Sequence, residues 1–292
     1  PVKSFAITVV ELCLAFWEYA KLQYTMDGKP TGEVHPLKSV IKLLRTKYGT
    51  TRAAEFGPLA LKSLRDGMID IGWSRNTINK QINRLRHIFR WGVSEELVPP
   101  SVIQALDAVA GLRAGKSLAK ERPPIEPVDD ALVDATLNYL LPIVADMVRL
   151  QRLCGARPGE ICTLRPSDIE QGEGIWLYRP RRHKTQHRGK SRVIAIGPRG
   201  QEILKPYLTR SPDQFCFSPV ESEEKRRADL HEKRQTPLKY GNRPGTNLRA
   251  KPKRQPGARY NVNSYRQAVH RACTAAKLKP WNPHQLRHTA AT

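Results

Sequence analysis

Residues 154–164 read Cys154-Gly155-Ala156-Arg157-Pro158-Gly159-Glu160-Ile161-Cys162-Thr163-Leu164. Glycine tolerates the left-handed backbone that closes a helix, so Gly155 marks a helix end. Arg157 then stands at the start of the next helix, which continues from Glu160 towards Leu164. Working backwards, Pro142 suits the first turn of the helix that Gly155 ends, with Ile143, Met147 and Leu150 along it. Asp129 or Asp130 starts an earlier helix through Leu132, Ala135 and Leu140. Working forwards, Ile175–Tyr178 and Arg192–Ile196 are β-rich runs. The polar segment between them holds Lys184, Thr185 and Gly189, which predicts a hairpin. Ser264–Ala276 has helical spacing with Tyr265, Ala268, Val269 and Ala272 on one side, and Pro283 starts a last helix.

The first hundred residues read as helical. Thr8 and Glu11 form a capping box before Val9, Leu12, Phe16 and Ala20. A second helix starts near Pro36, and residues 56–64 suit a short third. A fourth, capped by Ser74, buries Ile78, Ile82, Leu85 and Phe89. Its other face carries Asn79, Lys80, Asn83, Arg84, Arg86 and Arg90, which suits either a DNA backbone or plain solvent. Of these, Lys80, Arg84 and Arg86 are the candidate DNA contacts. The organisation expected is a helical domain over residues 1–110, a linker over 111–127, and a second domain over 128–292. The fold class is mainly α with a small antiparallel β-sheet. Residues 218–260 show little periodicity. Their second part carries Arg243, Arg249, Lys251, Lys253, Arg254 and Arg259 with no acid, and is expected to be a mobile basic insertion.

Composition narrows the partners. Fifty Lys and Arg against 27 Asp and Glu leave a net charge of +23, an excess that repels itself unless a polyanion neutralises it. Nucleic acid is the first candidate, since neutralised phosphates release counterions. The five cysteines form no C-x-x-C pair, which argues against a zinc site and fits reduced thiols in a cytoplasmic compartment. No run of about 18 apolar residues is present to span a membrane.

Three short pieces carry chemistry: the Arg157 stretch, His183-Lys184-Thr185, and Pro283-His284-Gln285-Leu286-Arg287-His288-Thr289. Phosphoryl transfer builds negative charge on non-bridging oxygens. Two guanidiniums clamp such oxygens with forked hydrogen bonds and stay charged at any working pH. Arg157 and Arg287 suit that pair. A leaving 5′-oxygen needs a proton, which suits Lys184, and His284 is placed to bond the phosphate or manage a nucleophile's proton. Taken singly, each piece also fits a surface arginine, a solvated lysine or a basic helix start. Glu160 reads as a cation's partner rather than as an acid or base.

The order G-x-R-x-x-E, Lys-Thr in a hairpin, then H-x-L-R-H-T resembles the tyrosine site-specific recombinases of the phage integrase family. The phrase Leu164-Arg165-Pro166-Ser167-Asp168-Ile169 also resembles family usage. The resemblance implies an N-terminal helical core-binding domain and a mixed α/β integrase-type catalytic domain. It implies that Arg157, Lys184, His284 and Arg287 are catalytic, that a tyrosine forms a 3′-phosphotyrosine link, and that no metal or nucleotide cofactor is used. Its partners would be double-stranded DNA and three further copies of the chain, with no membrane. The family's further His or Trp and its nucleophilic tyrosine lie downstream of H-x-L-R-H, and residues up to Thr292 contain neither. Tyr260 and Tyr265 stand on the wrong side of His284. The expectation is therefore a recombinase whose nucleophile lies beyond Thr292, this chain being inactive for cleavage. The alternatives are a non-catalytic DNA-binding remnant and a type IB topoisomerase-like relaxase.

Overall fold

The computed structural model describes residues 6–26, 28–182, 189, 191–237, 239 and 257–289. The chain divides into two compact units, Pro1–Pro124 and Ile125–Thr292. The first is helical: α1 (Val9–Gln23), α2 (Val34–Tyr48), α3 (Pro58–Asp70), α4 (Arg75–Ser94) and α5 (Pro100–Asp107). A two-residue ribbon, β1 (Thr25–Met26) against β2 (Lys29–Pro30), lies between α1 and α2. The capping box holds, with the Glu11 carboxylate accepting from the Thr8 backbone N–H at 2.8 Å. Leu12, Phe16, Leu44, Phe56, Leu85 and Phe89 form the centre of the core. Gly92 is required where α4 meets α1, because a Cβ there would come within 2.7 Å of the Leu12 side chain. Ser74 sits at the N-cap of α4 as the sequence suggests, but its hydroxyl bonds that of Thr77 at 2.9 Å instead of capping a backbone N–H.

The stretch after α5 packs back along α4. Leu112 N–H donates to Asn79 Oδ1 at 2.9 Å, Asn79 Nδ2 returns a bond to the Leu112 carbonyl, and Arg75 N–H donates to the Lys120 carbonyl. The Asn79 side chain and the Arg75 backbone of α4 satisfy this stretch, which needs no helical period of its own there.

The second unit holds α6 (Asp130–Leu137), α7 (Pro142–Cys154), α8 (Pro158–Thr163), β3 (Ile169–Glu170), β4 (Trp176–Tyr178), β5 (Ile194–Ile196), α9 (Pro198–Leu208), α10 (Pro219–Glu232), α11 (Val262–Ala275) and α12 (Pro283–Thr289). The strands form one antiparallel sheet in the order β3-β4-β5, with Trp176 opposite Ile196 and Tyr178 opposite Ile194. The core runs through Met147, Leu150, Ile161, Tyr178, Ile196, Tyr265, Trp281 and Leu286.

The mainly α fold with a small antiparallel sheet is the one expected. The segment after Ser218 differs from expectation. Its first part is α10, a helix that buries only Ser222 and so shows no apolar stripe. Pro219 in the first turn starts it, and Glu223 binds Arg226 at 2.7 Å and Arg227 at 2.9 Å one turn on. The basic run at 240–256 and the hairpin residues His183, Lys184 and Thr185 lie outside the described residues.

Candidate active site

The site begins at the turn between α7 and α8. Gly155 takes φ +60°, ψ +20°, the left-handed conformation in which a side chain is strained. The chain then reverses through Ala156, and Arg157 takes the N-cap of α8 with an extended backbone. Buried Gln151 on α7 fastens this turn. Its amide donates to the Ala156 carbonyl at 3.1 Å and to the Pro283 carbonyl at 2.7 Å. One side chain thereby sets the start of α12 beside the start of α8. Trp281 Nε1 donates to Thr136 Oγ1 at 3.1 Å, and Thr289 Oγ1 binds the backbone of Val128, so α12 is held at both ends.

Glu160 is the electrostatic centre. It is almost wholly buried and accepts four hydrogen bonds. Arg157 gives its backbone N–H and its Nη1, both at 2.7 Å. Arg192 gives Nε at 3.0 Å and Nη2 at 3.3 Å. Burial pushes the Glu160 carboxyl up, but the bonds from the Arg157 backbone and from the Arg192 and Arg157 guanidiniums outweigh it and hold it below 4.5. This is the supporting role expected for Glu160.

Arg287 reaches the same place from α12, its Nη1 lying 3.4 Å from the Gly155 carbonyl. Its pKa is lowered first by burial and then by the charges of Arg157 and Arg192, with Glu160 opposing. His284, one turn before Arg287, is lowered below 6.5 by burial and then by His288, Arg287 and Arg157. Each of these favours the uncharged imidazole. The His284 and His288 rings lie 5.7 Å apart. Two guanidiniums thus share the Glu160 carboxylate, Arg287 lies against the adjacent Gly155 carbonyl, and the surplus positive charge suits an anionic ligand.

Of the four catalytic candidates, the structure brings together Arg157, His284 and Arg287, while Lys184 lies outside the described residues. Arg192 was missed by the motif reading. Its signal was present: Arg192 shares strand parity with buried Ile194 and Ile196, and an arginine at an inward position needs a buried partner. Among the DNA candidates, Lys80 is exposed. Arg84 pairs with Glu33 at 2.5 Å, and Arg86 donates to the carbonyls of Leu106 and Val109 at the end of α5. Tyr265 is fully buried, and Tyr178 donates its hydroxyl to the Glu160 carbonyl at 2.7 Å. Among the described residues no cluster of His, Cys, Asp and Glu is arranged to hold a metal ion, and no helix is long and apolar enough to cross a membrane.

The profile of the phage integrase family matches residues 138–292, more than half of the chain. The chain belongs to the phage integrase family. Its fold is similar to a lambda integrase dimer bound to a COC′ core site, with a TM-score of 0.65 and 14% identity over 98% of this chain and 69% of that one. A lambda integrase tetramer bound to a Holliday junction gives a TM-score of 0.66 and 15% identity over 99% and 73%. The Tn1549 transposon integrase in complex with circular intermediate DNA gives 0.60 and 14% over 97% and 85%. No curated protein matches the chain.

Proposed function

We propose that this chain is a site-specific DNA recombinase, and that its described residues hold and polarise a DNA phosphate. The observation that carries the reading is the pairing of Arg157 and Arg192 with buried Glu160, with Arg287 against the adjacent Gly155 carbonyl and His284 one turn before it on α12. Arg157 and Arg287 clamp the non-bridging oxygens, which gain negative charge as the phosphorus becomes five-coordinate. His284 bonds one of those oxygens or takes the nucleophile's proton. A tyrosine hydroxyl attacks phosphorus, the bond to the 5′-oxygen breaks, and Lys184 donates a proton to that oxygen. The 3′-phosphotyrosine keeps the bond energy until the 5′-hydroxyl of a partner strand reverses the step. Lys80 meets a backbone phosphate, and Arg84 and Arg86 shape the surface around it. Four copies on two duplexes carry out the exchange. The five unbridged cysteines fit a reducing, cytoplasmic setting.

The tyrosines nearest to these motifs, Tyr260 and Tyr265, are buried and precede His284, which supports the reading that a polypeptide of these 292 residues binds DNA without cutting it. The test uses a pool of nicked suicide duplexes. The expected result is a salt-sensitive, non-covalent complex. Absence of any complex refutes the DNA reading, and a covalent protein–DNA adduct refutes the inactivity of these residues.

A further inference from the structure

A second cationic cleft lies along the flank of α8. It has a volume of about 500 Å³ and is walled by Gly159 and Thr163 of α8, by Arg165, by Arg181 and Arg182 after β4, and by Arg259 before α11. Phe215 forms its apolar side. The Arg165 guanidinium carbon is 4.4 Å from the centroid of the Phe215 ring, and that of Arg259 is 5.5 Å from it. A guanidinium resting on a ring is held in orientation while its rim N–H groups remain available, the geometry that suits a planar fork on phosphate oxygens.

The charges of the cleft are unbalanced. Buried Asp168 is taken by Arg181 at 2.7 Å, and exposed Asp213 by Arg181 at 2.6 Å, with Arg165 at 3.7 Å. Arg181 and Arg165 thus meet the two carboxylates, while Arg259 rests on the Phe215 ring and donates Nη1 to the Tyr260 carbonyl at 3.2 Å. Buried Arg165 Nε has no hydrogen-bond partner among the described residues. Nothing in the phosphate clamp at Glu160 uses these residues.

The geometry points to a second phosphate seat: the cleft formed by Arg165, Arg259 and Phe215 takes a backbone phosphodiester of the bound duplex other than the one to be cut. This rests on the DNA reading given above. The six residues of α8 span about 9 Å, and successive phosphates of a strand advance 3.4 Å along the DNA axis. A strand with one phosphate at Arg157 therefore has others within reach of the cleft. Two seats on one strand fix its direction as well as its position.

The test is duplex binding by the full chain over a salt series, comparing the parent with the R165Q/R259Q double variant. Loss of two phosphate contacts makes the slope of log K against log salt shallower by about 1.8. A fourfold rise in salt then costs the double variant about twelvefold less affinity than it costs the parent. The R165K/R259K variant keeps the charge and retains the parent's slope. Arg259 is exposed, so R259Q alone leaves the fold intact and lowers the slope by about 0.9. A parent that binds DNA alongside glutamine variants of unchanged slope overturns the second seat and leaves the DNA reading standing. A parent that binds no DNA overturns both. Heat stabilisation of the parent alone by inorganic phosphate, with no change of slope in the variants, shows a seat for free phosphate and overturns the backbone assignment.

Discussion

Replacing Glu160 with glutamine removes the one negative charge shared by two guanidiniums and keeps the side chain's size. The carboxylate accepts four hydrogen bonds, whereas an amide offers one oxygen and turns an NH2 group towards donors. Breaking a buried ion pair by removing one partner costs about 3–5 kcal/mol. Arg157 and Arg192 keep 31% and 24% of their side-chain surface exposed, so water screens part of the loss and the cost sits near about 3 kcal/mol. In a unit of this size each kcal/mol lowers Tm by about 2–4 °C, which gives a fall of about 6–12 °C at pH 7. The folded pKa of Glu160 is depressed below 4.5, so its stabilisation is complete above that value and is lost as the pH falls through the folded one. The parent and Glu160→Gln should therefore converge in acid. Thermal denaturation followed from pH 7 to pH 3 provides the measurement. A fall of less than about 2 °C at pH 7, or a gap that ignores pH, refutes the view of Glu160 as the charged centre of the site.

Gly155→Ala puts a side chain at φ +60° and should cost about 1–2 kcal/mol in urea unfolding. Gln151→Leu strips two buried carbonyls of their donors and should cost about 2–4 kcal/mol, with faster amide exchange in α12 than in α9. Arg86→Ala should lose about 1–3 kcal/mol of stability by uncapping α5, with an unchanged salt slope for DNA binding. Lys80→Ala should do the reverse, leaving Tm unchanged and making the slope shallower by about 1.

The helices were legible where they carried an apolar stripe or a cap, as in α1 with Thr8 and Glu11 or α7 between Pro142 and Gly155. Helix α10 was hidden because charge pairs and a first-turn proline support it instead of a buried face. Arg157, His284 and Arg287 could be found because their motifs are short and local. Arg192 is tied to the site through a residue 32 positions earlier, and only strand parity hinted at it. The basic face of α4 shows the converse limit. Charge and spacing do not reveal that Arg84 and Arg86 already hold protein partners.

The fastening of α12 has a consequence for how the molecule is made. Thr289 bonds the backbone of Val128 across 161 residues, and Arg287 meets Gly155 across 132. Contacts this distant in sequence form late, because the intervening chain must first be ordered. On the ribosome, at about 5–20 residues per second, α7, α8 and Glu160 emerge well before α12 exists. Arg157 and Arg192 can settle on their shared carboxylate while the unit is unfinished, but the third guanidinium joins only at closure. A nascent chain thus lacks the third guanidinium of the site until nearly all of the described residues have been synthesised.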